Sequence, residues 1–168
     1  MTNIKSITGK IEVIGESSSN KGTDVMKAAA SVKKYDYIRI LDATGNVQMI
    51  KGAFPVGPSV DSYLFAGTEG TFHFFEINGE HLFFAYENDE RKVFDLQELI
   101  EYNKSYKKLR NAGLWLIIGG IPMIIVLGLG LILIGIGGYL ILKMKKLQKL
   151  TKPDNAASYL RDKGFAVV

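Results

Sequence analysis

The sequence predicts a mainly β domain followed by a pair of membrane helices and a short helical tail. Three observations lead to this fold class: alternating strand-like runs in residues 1–94, an apolar block at 113–142 without a charged residue, and basic residues on both sides of that block. Alternation with a period of two is typical of half-buried strands, and thirty uncharged residues are typical of a membrane segment. We therefore expect a small OB-like or SH3-like barrel with one short helix, joined to a transmembrane helical hairpin and a C-terminal helix.

The first third of the chain predicts the strands of this domain and its early helix. Polar and apolar residues alternate in several short runs, which Gly, Pro, Asn and Ser separate. A run around three consecutive alanines instead favours a helix, because alanine has the highest helix propensity. The expected elements are a strand at 4–16, the helix at 25–34, and strands at 35–42, 47–53 and 60–66.

Two apolar runs joined by Asn78 and Gly79 give the strongest local signal. Asn-Gly is the preferred pair for a two-residue hairpin turn, so we expect Ile77 to pair with Glu80 and the register to run on without a break to His73 opposite Phe84. Aromatic residues then lie on both faces of the hairpin, and both faces need a cover. Three phenylalanines on one face are predicted to form an interaction surface: Phe72, Phe74 and Phe83.

The apolar block at 113–142 predicts either a single span or a helical hairpin, and its flanking charges favour the hairpin. A straight helix of thirty residues is about 45 Å long, whereas the hydrocarbon core is about 30 Å thick. Basic residues mark the cytoplasmic ends of membrane helices, and here they lie on both sides, so a turn near 128–130 is expected. The residues expected to fix this topology and to bind anionic lipid headgroups are Lys104, Lys107, Lys108, Arg110, Lys143, Lys145, Lys146 and Lys149.

A juxtamembrane helix at 95–112 should begin at a capping box formed by Asp95 and Glu98 and continue into the block without a linker. A basic stem and helical tail occupy 143–168. Small residues allow membrane helices to approach closely, so glycines of the block are predicted to mediate packing, either within the hairpin or between molecules. These glycines are Gly119, Gly120, Gly128, Gly130, Gly135, Gly137 and Gly138.

Composition argues against several function classes. The chain contains no cysteine, which removes disulfides and thiolate metal sites. The predicted register places His73 and His81 on opposite faces, so they would not bind one metal ion. Residues 1–101 carry ten basic and fifteen acidic residues, a net charge of −5, which makes nucleic-acid binding unlikely. We expect no catalytic residues, no metal and no cofactor, and a protein that is not an enzyme.

The expected function is that of a structural or interaction protein. It would be an integral protein of a bacterial inner membrane. Its domain is expected in the cytoplasm because no signal peptide is predicted, and its C-terminus is expected there because basic residues flank both ends of the block. It would self-assemble or serve as an accessory subunit of a larger membrane complex. The alternatives are a membrane-tethered OB-like module that binds a ligand, peptide or nucleic acid, and a small channel or transporter subunit.

Overall fold

The computed structural model describes residues 4–18, 33–77, 79–127 and 130–167, and it shows one sheet with helices packed against it. The predicted helix at 25–34 falls almost entirely outside these ranges, and Lys34 begins a strand. Along the chain the elements are β1 (Ile4–Ile14), β2 (Ser17–Ser18), β3 (Lys34–Leu41), β4 (Val47–Pro55), α1 (Pro58–Asp61), β5 (Glu69–Ile77), β6 (Glu80–Glu87), β7 (Lys92–Phe94), α2 (Leu96–Leu127), α3 (Gly130–Leu150) and α4 (Pro153–Asp162).

The sheet has seven strands in the order β1-β5-β6-β4-β3-β2, with β7 paired to β6. Strand β1 also pairs with β3, so each of the five long strands has a neighbour on both sides. The β4–β6 pair is parallel and the other pairs are antiparallel. Strand edges that are paired in this way are unavailable for pairing with another chain.

The β5–β6 hairpin confirms the predicted register near its turn and departs from it further away. Pairing runs from Ile77 opposite Glu80 to Phe74 opposite Phe83, as expected, and Gly79 has a φ of 82°, which suits the tight turn. A bulge then shifts the register, so that His73 lies opposite Ala85 instead of Phe84. One extra residue in β6 turns all the side chains beyond it to the other face.

Both faces of this hairpin are covered, each by a different hydrophobic core. One core lies among the long strands and α1, where Phe72, Phe83 and Tyr86 are fully or almost fully buried. The second core lies between the opposite face of β5 and β6 and the helices α2, α3 and α4. It buries Phe75 and Phe84 against residues from all three helices.

Asp95, the predicted cap of α2, instead binds the preceding helix. Its carboxylate is buried and accepts a 2.7 Å hydrogen bond from the backbone N–H of Val60 in α1. A side chain at Gly57 would collide with it, because a Cβ there would lie 2.7 Å from the Asp95 carboxyl carbon. The carboxylate therefore satisfies a free amide in the first turn of α1 and ties α1 to the start of α2.

The C-terminal helix is held on the sheet by a buried histidine. His73 is 1% exposed; its Nε2 lies 3.3 Å from the Glu87 carboxylate and its Nδ1 lies 3.0 Å from the Tyr159 hydroxyl in α4. Since a carboxylate only accepts hydrogen bonds, Nε2 carries the proton and Nδ1 accepts from Tyr159. Burial lowers the pKa of His73, although the nearby Glu87 charge opposes the shift.

The predicted fold class is corrected at the apolar block. Within residues 4–18, 33–77, 79–127 and 130–167, no helix is long and apolar enough to cross a membrane. The block is shared between α2 and α3, which leaves about 15 apolar residues at the end of α2 and about 13 at the start of α3, roughly 20 Å each against a hydrocarbon core of about 30 Å. A continuous run of thirty residues in the sequence is thus halved in the structure.

The transmembrane hairpin and the integral location in a bacterial inner membrane were therefore wrong predictions. The barrel with one short helix is replaced by a seven-stranded sheet packed with helices. The apolar block contributes half of two longer helices, α2 and α3, whose other halves pack against that sheet.

A pH titration tests the environment of His73. Because the folded pKa lies below the unfolded value of about 6.5, the unfolded chain binds more protons, and the stabilisation should be complete above that pH and decrease as the pH falls from about 7 to about 5. Urea unfolding at several pH values measures this slope. His73→Gln should flatten it; if His81→Gln flattened it instead, this interpretation of His73 would be wrong.

Removing the Asp95 carboxylate should destabilise the fold. Asp95→Ala leaves the buried Val60 amide without a partner, and we expect a loss of about 2 kcal/mol in the free energy of unfolding by urea. Asp89→Ala, at a turn near the surface, is the matched control and should cost less than about 0.5 kcal/mol. Equal losses for the two variants would contradict this role of Asp95.

Candidate interaction surface

Helices α2 and α3 pack against each other in an antiparallel pair. A Cβ added at Gly120 would lie 2.9 Å from the Gly130 carbonyl oxygen, and one added at Gly113 would lie 2.9 Å from the Gly137 carbonyl oxygen. Near the sheet, the Asn103 side-chain amide donates to the carbonyl oxygens of Gln148 and Thr151 at the end of α3. These bonds satisfy carbonyls that a helix terminus leaves free and help set the register of the pair.

Buried positions recur every seven residues along the seam between these helices. On α2 they are Leu99, Tyr106, Gly113 and Gly120, and on α3 they are Gly130, Gly137 and Met144. A seven-residue period keeps one face of a helix against its partner. Large side chains fill the seam near the sheet, whereas glycines line it at the far end, so the two backbones come closest there.

We call the far half of the pair the arm: residues 113–123 of α2 and 130–142 of α3. None of its described residues belongs to either hydrophobic core. The close neighbours of Gly113, Gly120 and Gly137 all lie on the opposite helix of the arm. The arm is therefore packed by its own two helices.

The structure divides the predicted packing glycines into two groups. Gly120, Gly130 and Gly137 lie in the seam, together with Gly113, which was not predicted although it precedes Gly120 by seven residues. Gly119, Gly135 and Gly138 lie outside the seam, where an added Cβ would meet nothing within 4 Å. Gly128 is outside the described residues. Contacts within the hairpin thus account for only some of these glycines.

The outer surface of the arm is apolar. Its large side chains are about half exposed or more, with Trp115 at 71% and Leu142 at 72%. Together they present on the order of 1,000 Å², above the roughly 300–600 Å² of the largest apolar patch on a typical monomer. These residues are Leu114, Trp115, Ile118, Ile121, Met123, Leu131, Ile132, Ile136, Tyr139 and Leu142.

A basic collar surrounds the hairpin where the arm meets the rest of the protein. It consists of the predicted residues Lys104, Lys107, Lys108, Arg110, Lys143, Lys145, Lys146 and Lys149, and all but Arg110 are exposed. Lys104 pairs with Glu101 and Arg110 donates to the Gln148 side chain, so part of this charge is used within the hairpin. Tyr139 lies beside the collar, with its ring centroid 5.5 Å from the Lys143 ammonium.

The three phenylalanines predicted as an interaction surface are buried. Phe72 and Phe83 are fully buried and Phe74 nearly so, all in the core among the strands. Phe74 packs tilted against Phe83 and edge-on to His81. The structure therefore leaves these rings inaccessible to a partner or a nucleic-acid base.

A groove of about 920 Å³ lies outside the arm, beside the middle of β1, the end of β3, the start of β5 and the end of β6. Acidic residues dominate its lining: Asp42, Glu69, Glu87, Asp89 and Glu90, against Lys10 and Lys92. This charge opposes the binding of phosphate-rich ligands. No group of three potential metal ligands occurs in the part of the chain that the structure describes. His81 donates from Nδ1 to the Lys51 carbonyl oxygen on the neighbouring strand β4, at 2.9 Å.

Comparison with known proteins finds no matching family, no matching curated protein and no matching solved structure. The functional interpretation therefore rests on the arm, the collar and the two cores.

Alanine substitutions distinguish the two groups of glycines. Gly120→Ala places a Cβ 2.9 Å from the Gly130 carbonyl oxygen and should cost about 1–3 kcal/mol through overpacking. Gly119→Ala meets open space and should instead gain up to about 1 kcal/mol from helix propensity. Thermal unfolding followed by circular dichroism measures both. Equal effects at the two positions would contradict the assignment of Gly120 to the seam.

Proposed function

We propose that this chain is a structural or interaction protein that self-assembles through its arm. One observation carries the proposal: a projecting pair of helices exposes its large apolar side chains on the outside while glycines hold it together on the inside. Exposed apolar patches larger than those of ordinary monomers mark interaction sites.

The exposed apolar area of the whole arm is of the same order as the area that a contact between copies buries. A standard protein–protein interface buries about 800 Å² on each partner, and the arm presents on the order of 1,000 Å². The arm also alternates large residues with open glycine positions at Gly119, Gly135 and Gly138. Large side chains of one helix pack into the gaps of another, so a second copy offers a surface of the right shape.

The alternative of a binding module for a ligand, peptide or nucleic acid has less support. Such modules stack bases on exposed aromatic rings beside a basic groove. Here the candidate rings are buried in the core, and the groove that the described residues form is mainly acidic.

An anionic lipid surface is the alternative binding partner of the arm. The basic collar would attract its headgroups, each basic residue contributing about 1 kcal/mol near the surface. Trp115 and Tyr139 lie at the same end of the arm as the collar, where amphipathic rings are common in proteins that contact lipid. The salt concentration distinguishes self-assembly from lipid contact, because salt should strengthen self-assembly and weaken lipid contact.

Sedimentation of the full-length chain at low and high salt tests the proposal. Side-by-side arms bring two basic collars together, so salt should screen their repulsion and raise the assembled fraction. Contact with an anionic lipid surface should instead weaken as salt increases. The matched measurement is flotation with vesicles of anionic phospholipid and with vesicles of neutral phospholipid.

The proposal predicts particles heavier than the 18.6 kDa chain without lipid, and a larger fraction of them at high salt. Ile118→Lys together with Ile136→Lys should return the chain to a single copy while the arm keeps its helicity. A chain that stays at 18.6 kDa at every salt concentration and floats only with anionic vesicles would overturn self-assembly in favour of lipid contact.

A further inference from the structure

The arm has two different sides, and the seam glycines define them. A residue that directly follows a seam glycine is rotated about 100° to one side of its helix, and a residue that directly precedes one is rotated about 100° to the other. Because the two helices have the same hand and run antiparallel, the following residues of both helices face the same side of the hairpin. The preceding residues of both helices face the opposite side.

The first side carries two large residues on α2, and on α3 it carries the exposed Leu131 together with a gap at Gly138. Leu114 and Ile121 follow the seam glycines of α2, and Leu131 and Gly138 follow those of α3. Both α2 residues are about half exposed, and nothing lies within 4 Å of a Cβ built at Gly138. This side therefore presents an apolar ridge on α2 beside an open position on α3.

The second side has the reverse arrangement. Ala112 and Gly119 precede the seam glycines of α2, and Ile136 precedes Gly137 on α3. Gly119 again has open space, whereas Ile136 is about half exposed. This side presents its gap on α2 and its ridge on α3.

We infer that the arms assemble head to tail, with the first side of one copy packed on the second side of the next. In this arrangement α2 lies against α2 and α3 against α3, and Ile121 meets the gap at Gly119 while Ile136 meets the gap at Gly138. Each isoleucine and the glycine that it meets are two residues apart in the sequence of the same helix, which corresponds to about 3 Å along the helix axis. The inference rests on the proposed self-assembly and specifies its geometry.

A two-fold pairing of like sides fits less well. If two second sides met about a two-fold axis parallel to the arm, Ile136 would lie level with residue 114 of the other copy's α2, five residues or about 7.5 Å from Gly119. A two-fold pair of second sides would also leave both first sides uncovered, so a second kind of contact would be needed to cover the whole apolar surface. A contact between unlike sides continues from copy to copy, and it forms a closed ring or an open filament.

Substitution of one gap on each side tests this geometry. Gly119→Leu fills the gap of the second side and Gly138→Leu fills that of the first side, and both positions have room for a side chain within a single copy. Each contact uses one side of each type, so either variant alone should fall to the 18.6 kDa chain. Mixed in equal amounts, the two variants still have one intact contact and should form pairs of twice that mass.

The full-length variants are compared by sedimentation at high salt, with helicity by circular dichroism as the check that the arm is folded. The control Ile132→Leu, on the outer edge between the two sides, should assemble like the original chain. The double variant with Gly119→Leu and Gly138→Leu has both sides filled, so it should remain a single copy alone and should pair with neither single variant.

The possible outcomes separate this inference from the proposed function. Single variants that each form pairs by themselves would show that like sides meet, and would overturn the head-to-tail geometry while self-assembly stands. If the single variants assembled like the original chain, the two sides would not form the contact and this inference would be wrong. A single copy for the original chain at every salt concentration would overturn the proposed function itself.

Discussion

The close approach of two helix backbones at Gly113–Gly137 and Gly120–Gly130 is the constraint on which the arm depends. Cβ atoms at these positions would meet a carbonyl oxygen at 2.5–2.9 Å. With glycine, the two helices can pack along a narrow seam without any large side chain between them. Isoleucine side chains such as Ile117, Ile134 and Ile141 flank these glycines, and the other large apolar residues of the arm lie on its outer surface. The same glycines that hold the arm together therefore also create its exposed surface.

In the half of the hairpin near the sheet, large side chains instead of glycines lie between the two helices. There Tyr106 and Met144 fill the seam, and the helices bury further residues against β5 and β6. Polar contacts reinforce this half, since Asn103 and Arg110 both bind groups of α3. The half of the helix pair near the sheet is thus part of a hydrophobic core, whereas the arm is part of neither core. The near half also carries the collar, which contains every charged residue of α2 and α3 beyond residue 101, whereas the arm carries none.

The aromatic hairpin shows which part of a strand register local sequence signals can predict. Asn78 and Gly79 predicted the turn and the first four residue pairs, because a two-residue loop determines which residues lie opposite each other. The bulge beyond Phe74 could not be predicted, since it depends on how β6 pairs with β4, β5 and β7 at the same time. Its effect is large, because Tyr86, which lies beyond the bulge, enters the core among the strands beside Phe72.

The sequence by itself determined the five long strands, the apolar block, the basic residues on both sides of it and the separation of charge along the chain. These properties depend on residues close to one another, and periodicity or composition reveals them. The strand predicted at 60–66 was wrong, because α1 ends there and a turn follows it. Only the tertiary structure decided that Gly113 and Gly120 lie inside the seam of the two helices and that Gly119 and Gly138 lie outside it. Neighbouring glycines in a sequence are chemically identical, and they acquire different roles because a helix turns each residue about 100° from the last toward a different environment.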